Sequence, residues 1–169
     1  MGNFGIWDVN YSSKTTSVEG SAKGIYQFRP HVGNITSLHV WGSSSEKVYS
    51  TSYDGTVRYF DLNTESFQCS YEVPEDLYDV MITDAGYLRD GNSILLGMNN
   101  GTVSLLDTRS KSRSWNKEFQ ATKINSIQQS PSDEYLVMTA GSGMNGHMCL
   151  HDLRMVYKPK YTHIKALDR

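Results

Sequence analysis

The chain has 169 residues, of which 38% are hydrophobic and 20% charged, as in an ordinary globular protein. Its formal net charge of −2 gives no overall sign of nucleic-acid binding, so any basic surface has to be a local patch. No apolar run approaches the length of a membrane span, so no membrane partner is expected. The two cysteines, Cys69 and Cys149, are far apart in sequence and near no histidine pair. This spacing argues against a metal site and a disulfide framework, and it favours a reducing compartment.

Four segments of the chain repeat one pattern, in which an aspartate follows a glycine by six positions. The segments are GNFGIWDVN (2–10), GTVRYFDLN (55–63), GTVSLLDTR (101–109) and GHMCLHDLR (146–154). Their aspartates, Asp8, Asp61, Asp107 and Asp152, lie 53, 46 and 45 residues apart. A near-constant interval of this length is typical of a repeat architecture.

A tight turn is predicted before three of these segments, at Asp54-Gly55, Asn100-Gly101 and Asn145-Gly146. Asp-Gly and Asn-Gly are strong signals for a hairpin in which both turn residues adopt positive φ. After the turn, apolar residues alternate with others, as at Val57 and Tyr59. This alternation predicts a strand.

Four strands are predicted for each repeat, and the tight turn lies between the second strand and the third. First strands are predicted at 34–40, 79–85 and 124–130, and second strands at 47–53, 93–99 and 135–141. Fourth strands are predicted at 66–73, 113–119 and 161–167. A four-stranded unit of about 45 residues is the size of one blade of a β-propeller.

The predicted fold is therefore all-β, a partial propeller with about three complete four-stranded blades and partial ends. Residues 1–30 are assigned to the end of a preceding blade and its outer strand, and residues 31–73, 74–119 and 120–169 to one blade each. All four form one incomplete propeller domain. Because a closed ring needs roughly four to eight blades, we expect a fragment of a larger, seven-bladed ring.

The repeats resemble those of the WD-repeat β-propeller family over nearly the whole chain. Trp7-Asp8 is the dipeptide that names this family, and Phe60-Asp61, Leu106-Asp107 and His151-Asp152 are degenerate versions. Within the family, the segments at 24–38, 105–116 and 151–159 are similar to the WD repeat protein 76 and damaged-DNA-binding small-subunit group.

This resemblance implies a non-enzymatic nuclear scaffold, with the cytosol as the alternative location, that takes no cofactor and no small-molecule substrate. It implies binding of damaged or modified DNA in the DNA-damage response. The alternative function is that of a protein-interaction scaffold acting as substrate receptor of a cullin-4 ubiquitin ligase.

The turn acids have a structural role by the same resemblance. Asp54 is expected to join a buried hydrogen-bond set with His31 and with Ser50 or Ser52, in which Phe60 replaces the usual tryptophan. The positions assigned to turns or to the WD pattern are Trp7, Asp8, Asp54, Gly55, Asp61, Asn100, Gly101, Asn145 and Gly146.

Two Asp-x-Arg triplets are candidates for contact with the ligase adaptor, since the resemblance implies that an arginine at this place touches it. They are Asp107 with Arg109 and Asp152 with Arg154. Such an arginine is expected on the face opposite to the tight turns, where it could pair with a partner's carboxylate. The alternative is a solvated arginine that stabilises a strand end.

DNA is expected to contact the face that carries the tight turns, because the loops entering each first strand lie there. The candidates on these loops are Arg29, His31, Lys123 and Arg169. Lysine and arginine bind phosphate at positions of this kind. The loop at 74–76 is acidic and would repel a duplex.

An enzyme is not predicted, and no catalytic residue is assigned. Asp54, His31 and Ser50 have the residue types of a catalytic triad, but no nucleophile elbow accompanies them. The sequence also has no phosphate-binding loop and no metal-ligand cluster.

Overall fold

The structure is a computed structural model that describes residues 2–7, 25–40, 46–74, 77, 79–142 and 148–155. The strands in this part of the chain are β1 (Gly2–Trp7), β2 (Ile25–His31), β3 (Ile35–Val40), β4 (Lys47–Ser52), β5 (Thr56–Asp61), β6 (Ser66–Glu72), β7 (Ile82–Tyr87), β8 (Ser93–Met98), β9 (Thr102–Asp107), β10 (Ser112–Glu118), β11 (Ile124–Gln129), β12 (Leu136–Gly141) and β13 (Met148–Asp152). A short 3₁₀ helix, Leu153–Met155, follows β13.

The strands form four antiparallel sheets in which neighbours in sequence are neighbours in space. Sheet I contains β1 and β2, sheet II contains β3 to β6, sheet III contains β7 to β10, and sheet IV contains β11 to β13. Sheets II, III and IV lie within the ranges 31–73, 74–119 and 120–169, although the division into blades stays a prediction. The all-β partial propeller is confirmed, and the predicted fourth strand at 161–167 lies outside the described residues.

The first strands lie side by side at the centre of the assembly. β7 packs against β3 and β4, and β11 packs against β7 and β8. Three hydrogen bonds among the described residues tie sheets III and IV together: the Ile127 N–H donates to the Asp84 carboxylate at 2.9 Å, the Arg89 N–H donates to the Gln129 side chain at 2.9 Å, and the Thr83 hydroxyl donates to the Ile124 carbonyl. These contacts fix the two sheets relative to each other.

Apolar side chains fill the space between consecutive sheets. Four phenylalanines, Phe4, Phe28, Phe60 and Phe67, join sheets I and II with ring centroids 4.9 to 6.0 Å apart. A second cluster around Tyr49, Ile82 and Leu96 joins sheets II and III. A third cluster around Leu95, Ile124 and Val137 joins sheets III and IV.

Central strands are buried on both faces, which the alternating sequence pattern does not show. Residues 94–98 of β8 are all buried. In β5, Val57, Tyr59 and Phe60 are buried together, although Tyr59 and Phe60 point to opposite faces of the sheet. The reason is that each four-stranded sheet has a neighbouring sheet on either side.

Apolar side chains are exposed on the face of sheet II that points towards sheet I and on the outer face of sheet IV. His39 contacts Tyr87 of sheet III with ring centroids 4.6 Å apart, so Leu38 and Val40 point the other way. Their exposed fractions are 52% and 64%. On sheet IV, Met138 is exposed between the buried Val137 and Thr139. In a closed propeller an adjacent blade covers a face of this kind.

The prediction that both residues of each tight turn have positive φ is wrong. Gly55 and Gly101 have φ of +79° and +81°, whereas Asp54 and Asn100 are not among the described residues with positive φ. The Gly55 N–H donates to the Ser52 carbonyl at 3.2 Å, which closes a three-residue connection ending in a left-handed glycine. The aspartate is thereby free to accept the Thr56 N–H at 3.0 Å.

The first strand of sheet III begins three residues later than predicted, at Ile82 instead of residue 79. The Val80 N–H donates to the Leu77 carbonyl at 2.8 Å, so this stretch is a turn. The local turn removes Val80 from the sheet.

We expect Gly101→Ala to destabilise the protein much more than Gly91→Ala. Both glycines have positive φ, at +81° and +73°, so either alanine has a backbone cost of about 1 kcal/mol. A Cβ at Gly101 would lie 1.9 Å from the Gln120 carbonyl oxygen, whereas one at Gly91 would meet no atom within 4 Å. The free energy of unfolding from denaturant titration should therefore fall by more than about 2 kcal/mol only for Gly101→Ala. Equal losses would contradict this close approach.

Candidate functional site

The tight turns and the loops that enter the first strands share one end of the sheets, here called the turn face. It comprises the turns at 52–55 and 98–101 and the loops at 31–34, 77–81 and 119–123. The antiparallel order places the loops at 88–92 and 130–135 and the turns after β5, β9 and β13 at the opposite end, here called the opposite face.

His31 is at the centre of a buried polar network under the turn face. Its exposed fraction is 2%. The ring Nε2 lies 2.8 Å from the Ser50 hydroxyl, and Nδ1 lies 2.9 Å from the Thr56 hydroxyl and 3.2 Å from the Asp54 carboxylate. Because both ring nitrogens are engaged below the surface, we assign His31 to this network and correct its place among the DNA-contacting candidates.

Asp54 holds the entering loop and the tight turn together. Its carboxylate accepts the backbone N–H groups of Val32 at 2.9 Å and Thr56 at 3.0 Å, and the Thr56 hydroxyl at 2.7 Å. Burial acts to raise the pKa of this carboxyl, but the hydrogen bonds from Thr56, the interaction with His31 and the hydrogen bond from the Gly33 N–H together outweigh burial and lower the pKa to about 2. The aspartate is therefore ionised and satisfied at neutral pH.

Sheet IV builds a related network from different residues. Gln120 precedes Ile124 by four positions, as His31 precedes Ile35, and it is buried. Its amide oxygen accepts the Thr139 hydroxyl at 3.2 Å, and that hydroxyl lies 3.1 Å from His151 Nε2. Sequence reasoning assigned no role to Gln120, although its spacing from the strand was the available signal.

Sheet III has apolar residues where the other two sheets have polar ones. Leu96 occupies the strand position of Ser50 in sheet II and of Thr139 in sheet IV, and Leu106 occupies that of His151 in sheet IV; both leucines are fully buried. The turn is held instead by Asn99, whose side chain accepts the Met81 N–H at 2.9 Å. The Asn100 side chain accepts the Thr102 N–H at 3.1 Å, as Asp54 does for Thr56.

The aspartates of the repeat cap the turns that follow the third strands. Asp61 accepts the Asn63 N–H, Asp107 the Arg109 N–H, and Asp152 the Arg154 N–H, each at 2.9 Å. A side-chain acceptor two residues before its donor is the ordinary arrangement of an Asx turn.

Both Asp-x-Arg arginines are paired with their own aspartate. Arg109 Nη2 lies 3.1 Å from Asp107, and Arg154 Nη2 lies 2.6 Å from Asp152. The hydrogen bond from Arg109 lowers the pKa of Asp107 to about 2, and the hydrogen bond from Arg154 lowers the pKa of Asp152. Arg154 also lies over the Tyr135 ring, 4.7 Å from its centroid. Both guanidinium groups remain largely exposed on the opposite face.

Lys123 contacts a tyrosine that is 70 residues away in the sequence. Its ammonium donates to the Tyr53 hydroxyl at 3.2 Å and lies 5.4 Å from the ring centroid. Tyr53 belongs to the tight turn of sheet II and is exposed, and the neighbouring Val32 is 90% exposed. Arg29 is exposed on β2. The predicted positions Asp8, Asn145, Gly146 and Arg169 lie outside the described residues.

In the part of the chain that the structure describes, no group of three or more His, Cys, Asp or Glu side chains is placed to hold a metal ion. No helix among those same residues is long and apolar enough to cross a membrane.

The chain is similar in sequence to a known repeat family and to two kinds of known protein. The model of the WD domain, G-beta repeat, matches residues 22–61. WD repeat-containing protein 76 of Rhinolophus ferrumequinum is 26% identical over 142 residues, which is 83% of this chain and 21% of that protein. DNA damage-binding protein CMR1 of Scheffersomyces stipitis is 28% identical over 166 residues, which is 93% of this chain and 31% of that protein.

The fold is similar to that of a solved β-propeller. The β-propeller domain of Cps50 (Swd1) from Myceliophteria thermophila superposes with a TM-score of 0.57 at 20% identity, over 77% of this chain and 38% of that one. The chain spans about a fifth to a third of the length of WD repeat-containing protein 76 and CMR1.

We expect the His31 network to make stability depend on pH. Burial lowers the pKa of His31 below its usual 6.5, against the opposing effect of Asp54, so the unfolded chain binds a proton more readily than the folded one. The stabilisation that the neutral His31 side chain provides is therefore fully present above pH 6.5. It is lost as the pH falls from 6.5 through the lowered pKa of the folded protein. His31→Gln, which copies Gln120, should weaken this pH dependence in denaturant titrations between about pH 7 and pH 5. If the free energy of unfolding changed with pH in the same way in both proteins, the His31 network would not be the source of the pH dependence.

Proposed function

We propose that this partial β-propeller, which carries a WD40-type repeat and is related to WD repeat-containing protein 76 and CMR1, belongs to a non-enzymatic nuclear scaffold that binds DNA in the DNA-damage response. The observation that carries the proposal is the contact of Lys123 with Tyr53 on the turn face. Two sheets here present a cation and an exposed aromatic ring side by side. The name of CMR1, a DNA damage-binding protein, supports the same direction.

The chemistry of this pair suits a nucleic acid. A lysine ammonium neutralises a backbone phosphate, and an exposed tyrosine ring offers a face on which an unpaired base can stack. The contact with Tyr53 also restricts the flexible lysine side chain before DNA arrives, which lowers the entropic cost of binding. Arg29 on β2 supplies a second cation, which is exposed.

Nearby acidic groups weaken the attraction of this surface for phosphate but do not abolish it. The Asp54 carboxylate lies within a set of hydrogen bonds, so it presents little unsatisfied charge to a phosphate. Asp79 is exposed on the loop entering β7 and opposes an extended duplex contact. The proposed DNA contact is therefore local and centred on Lys123.

We expect Lys123→Ala to weaken DNA binding by the full-length protein and to reduce its dependence on salt. Loss of one phosphate contact should make the plot of log binding constant against log salt concentration shallower by about one unit. The matched control is Lys111→Ala, since Lys111 is exposed in the turn after β9 on the opposite face. The measurement is a titration of labelled duplex and single-stranded DNA at several salt concentrations. An unchanged slope for Lys123→Ala would remove Lys123 from the proposed interface.

A second candidate function is that of a substrate receptor that docks on a cullin-4 ligase adaptor through the opposite face. The observation in its favour is Arg154, whose side chain is 58% exposed although Asp152 and Tyr135 fix its position. A prepositioned guanidinium can donate to a partner's carboxylate from its free edge at little entropic cost. Arg109, paired with Asp107, offers the same geometry one sheet away.

We expect Arg154→Glu to weaken binding of the purified ligase adaptor by at least about tenfold, because a carboxylate would then face a carboxylate. Lys117→Glu reverses the same charge away from this face and should leave adaptor binding unchanged. The measurement is the dissociation constant of the full-length protein for the adaptor. Equal affinity of both variants would argue against this candidate.

A further inference from the structure

A groove opens between sheets III and IV on the opposite face, beside Arg154, and neither proposed function uses its apolar floor. It encloses about 350 Å³ between the loop that follows β7, the loop that precedes β12 and the 3₁₀ helix after β13. Both sheets that form it are tied together by the Asp84 and Gln129 hydrogen bonds, so its walls are held in place. We call this site the III–IV groove.

The floor of the III–IV groove is apolar. Leu88, Leu105, Trp115 and Leu153 line it, and all four belong to or pack against the apolar cluster between sheets III and IV. Trp115 is only partly buried and stacks on Phe119 with ring centroids 6.0 Å apart. The groove is thus a surface opening into the core.

The rim of the groove carries an excess of negative charge. Asp90 lies on one side and Glu134 on the other, and both are exposed, although the Asp90 carboxylate also accepts hydrogen bonds from Asn92 and Ser93. Arg154 is the cation among the lining residues, but Asp152 pairs with it at 2.6 Å. The charge left to attract a partner is therefore carboxylate.

We infer that the III–IV groove binds a basic segment of a partner protein, which inserts one large apolar side chain between Trp115 and Leu153. The volume is near the lower end of that of small-molecule sites, so it accommodates a side chain or two. The carboxylates on both sides of the opening match lysine or arginine residues flanking that side chain, since complementary charge at a rim guides a partner and sets its register. This site is independent of the proposed DNA contact, which lies on the other face.

The test is a selection of random peptides displayed on phage against the full-length protein. We expect enrichment of peptides in which Lys or Arg flanks a Leu, Phe or Trp. Glu134→Lys should weaken binding of the enriched peptides by about tenfold, whereas Glu118→Lys, the same change on β10, should leave their affinity unchanged. Trp115→Ala should weaken their binding by about thirtyfold or more, as expected for a central aromatic contact.

Two charge reversals at exposed positions, Glu134→Lys and Arg154→Glu, test the rim of the groove without changing a core residue. Trp115→Ala removes the stacking on Phe119 as well as the groove contact, whereas Glu134→Lys alters only an exposed side chain. Arg154→Glu should keep or raise the affinity for the basic peptides, although it should weaken adaptor binding if the second candidate function is correct. Enrichment of acidic peptides, or failure to enrich any peptide whose binding Glu134→Lys weakens, would overturn the inference.

Discussion

Sheet III is buried on both faces, and the positions of both proposed binding surfaces depend on this packing. Residues 94–98 of β8 have sheet II on one side and sheet IV on the other. Because each sheet is held by its neighbours, the loops at its two ends project at fixed positions. The turn face and the opposite face are consequences of this packing, because the loops and turns that form them connect strands of the packed sheets.

Buried polar groups need partners, and the three larger sheets meet that requirement under the turn face in three ways. Sheet II uses His31 with Asp54, and sheet IV uses Gln120 with Thr139. Sheet III has the apolar residues Leu96 and Leu106 at these positions, so no buried polar side chain there needs a partner. Each arrangement satisfies or removes the polar groups that packing buries, so each supports its turn. The residues of these networks are therefore structural, and the contacts available to a partner lie above them.

The two faces differ in the chemistry that they offer. On the turn face, Lys123 and Tyr53 present a cation beside an aromatic ring. On the opposite face, the apolar III–IV groove opens between Asp90 and Glu134, next to the paired Arg154. The two proposed contacts lie on opposite faces, so a nucleic acid and a basic protein segment bound there would not compete.

The sequence by itself determined the repeat, most strand positions and the glycines of the turns. These features depend on neighbours along the chain: alternation marks a strand, and an Asp-Gly or Asn-Gly pair marks a turn. The sequence did not determine the conformation of Asp54, because its φ depends on the hydrogen bonds it makes to Val32 and Thr56.

Only the tertiary structure decided which candidate side chains are buried and which remain at the surface. His31 and Lys123 look alike as loop residues with a positive or titratable side chain. Packing buries the first among Ser50, Thr56 and Asp54 and brings the second to Tyr53. The III–IV groove joins Leu88 to Leu153 across two sheets, and no local pattern relates residues so far apart. The physical reason is that burial and charge pairing arise from contacts between sheets, whereas sequence periodicity reports only which way each side chain points within its own strand.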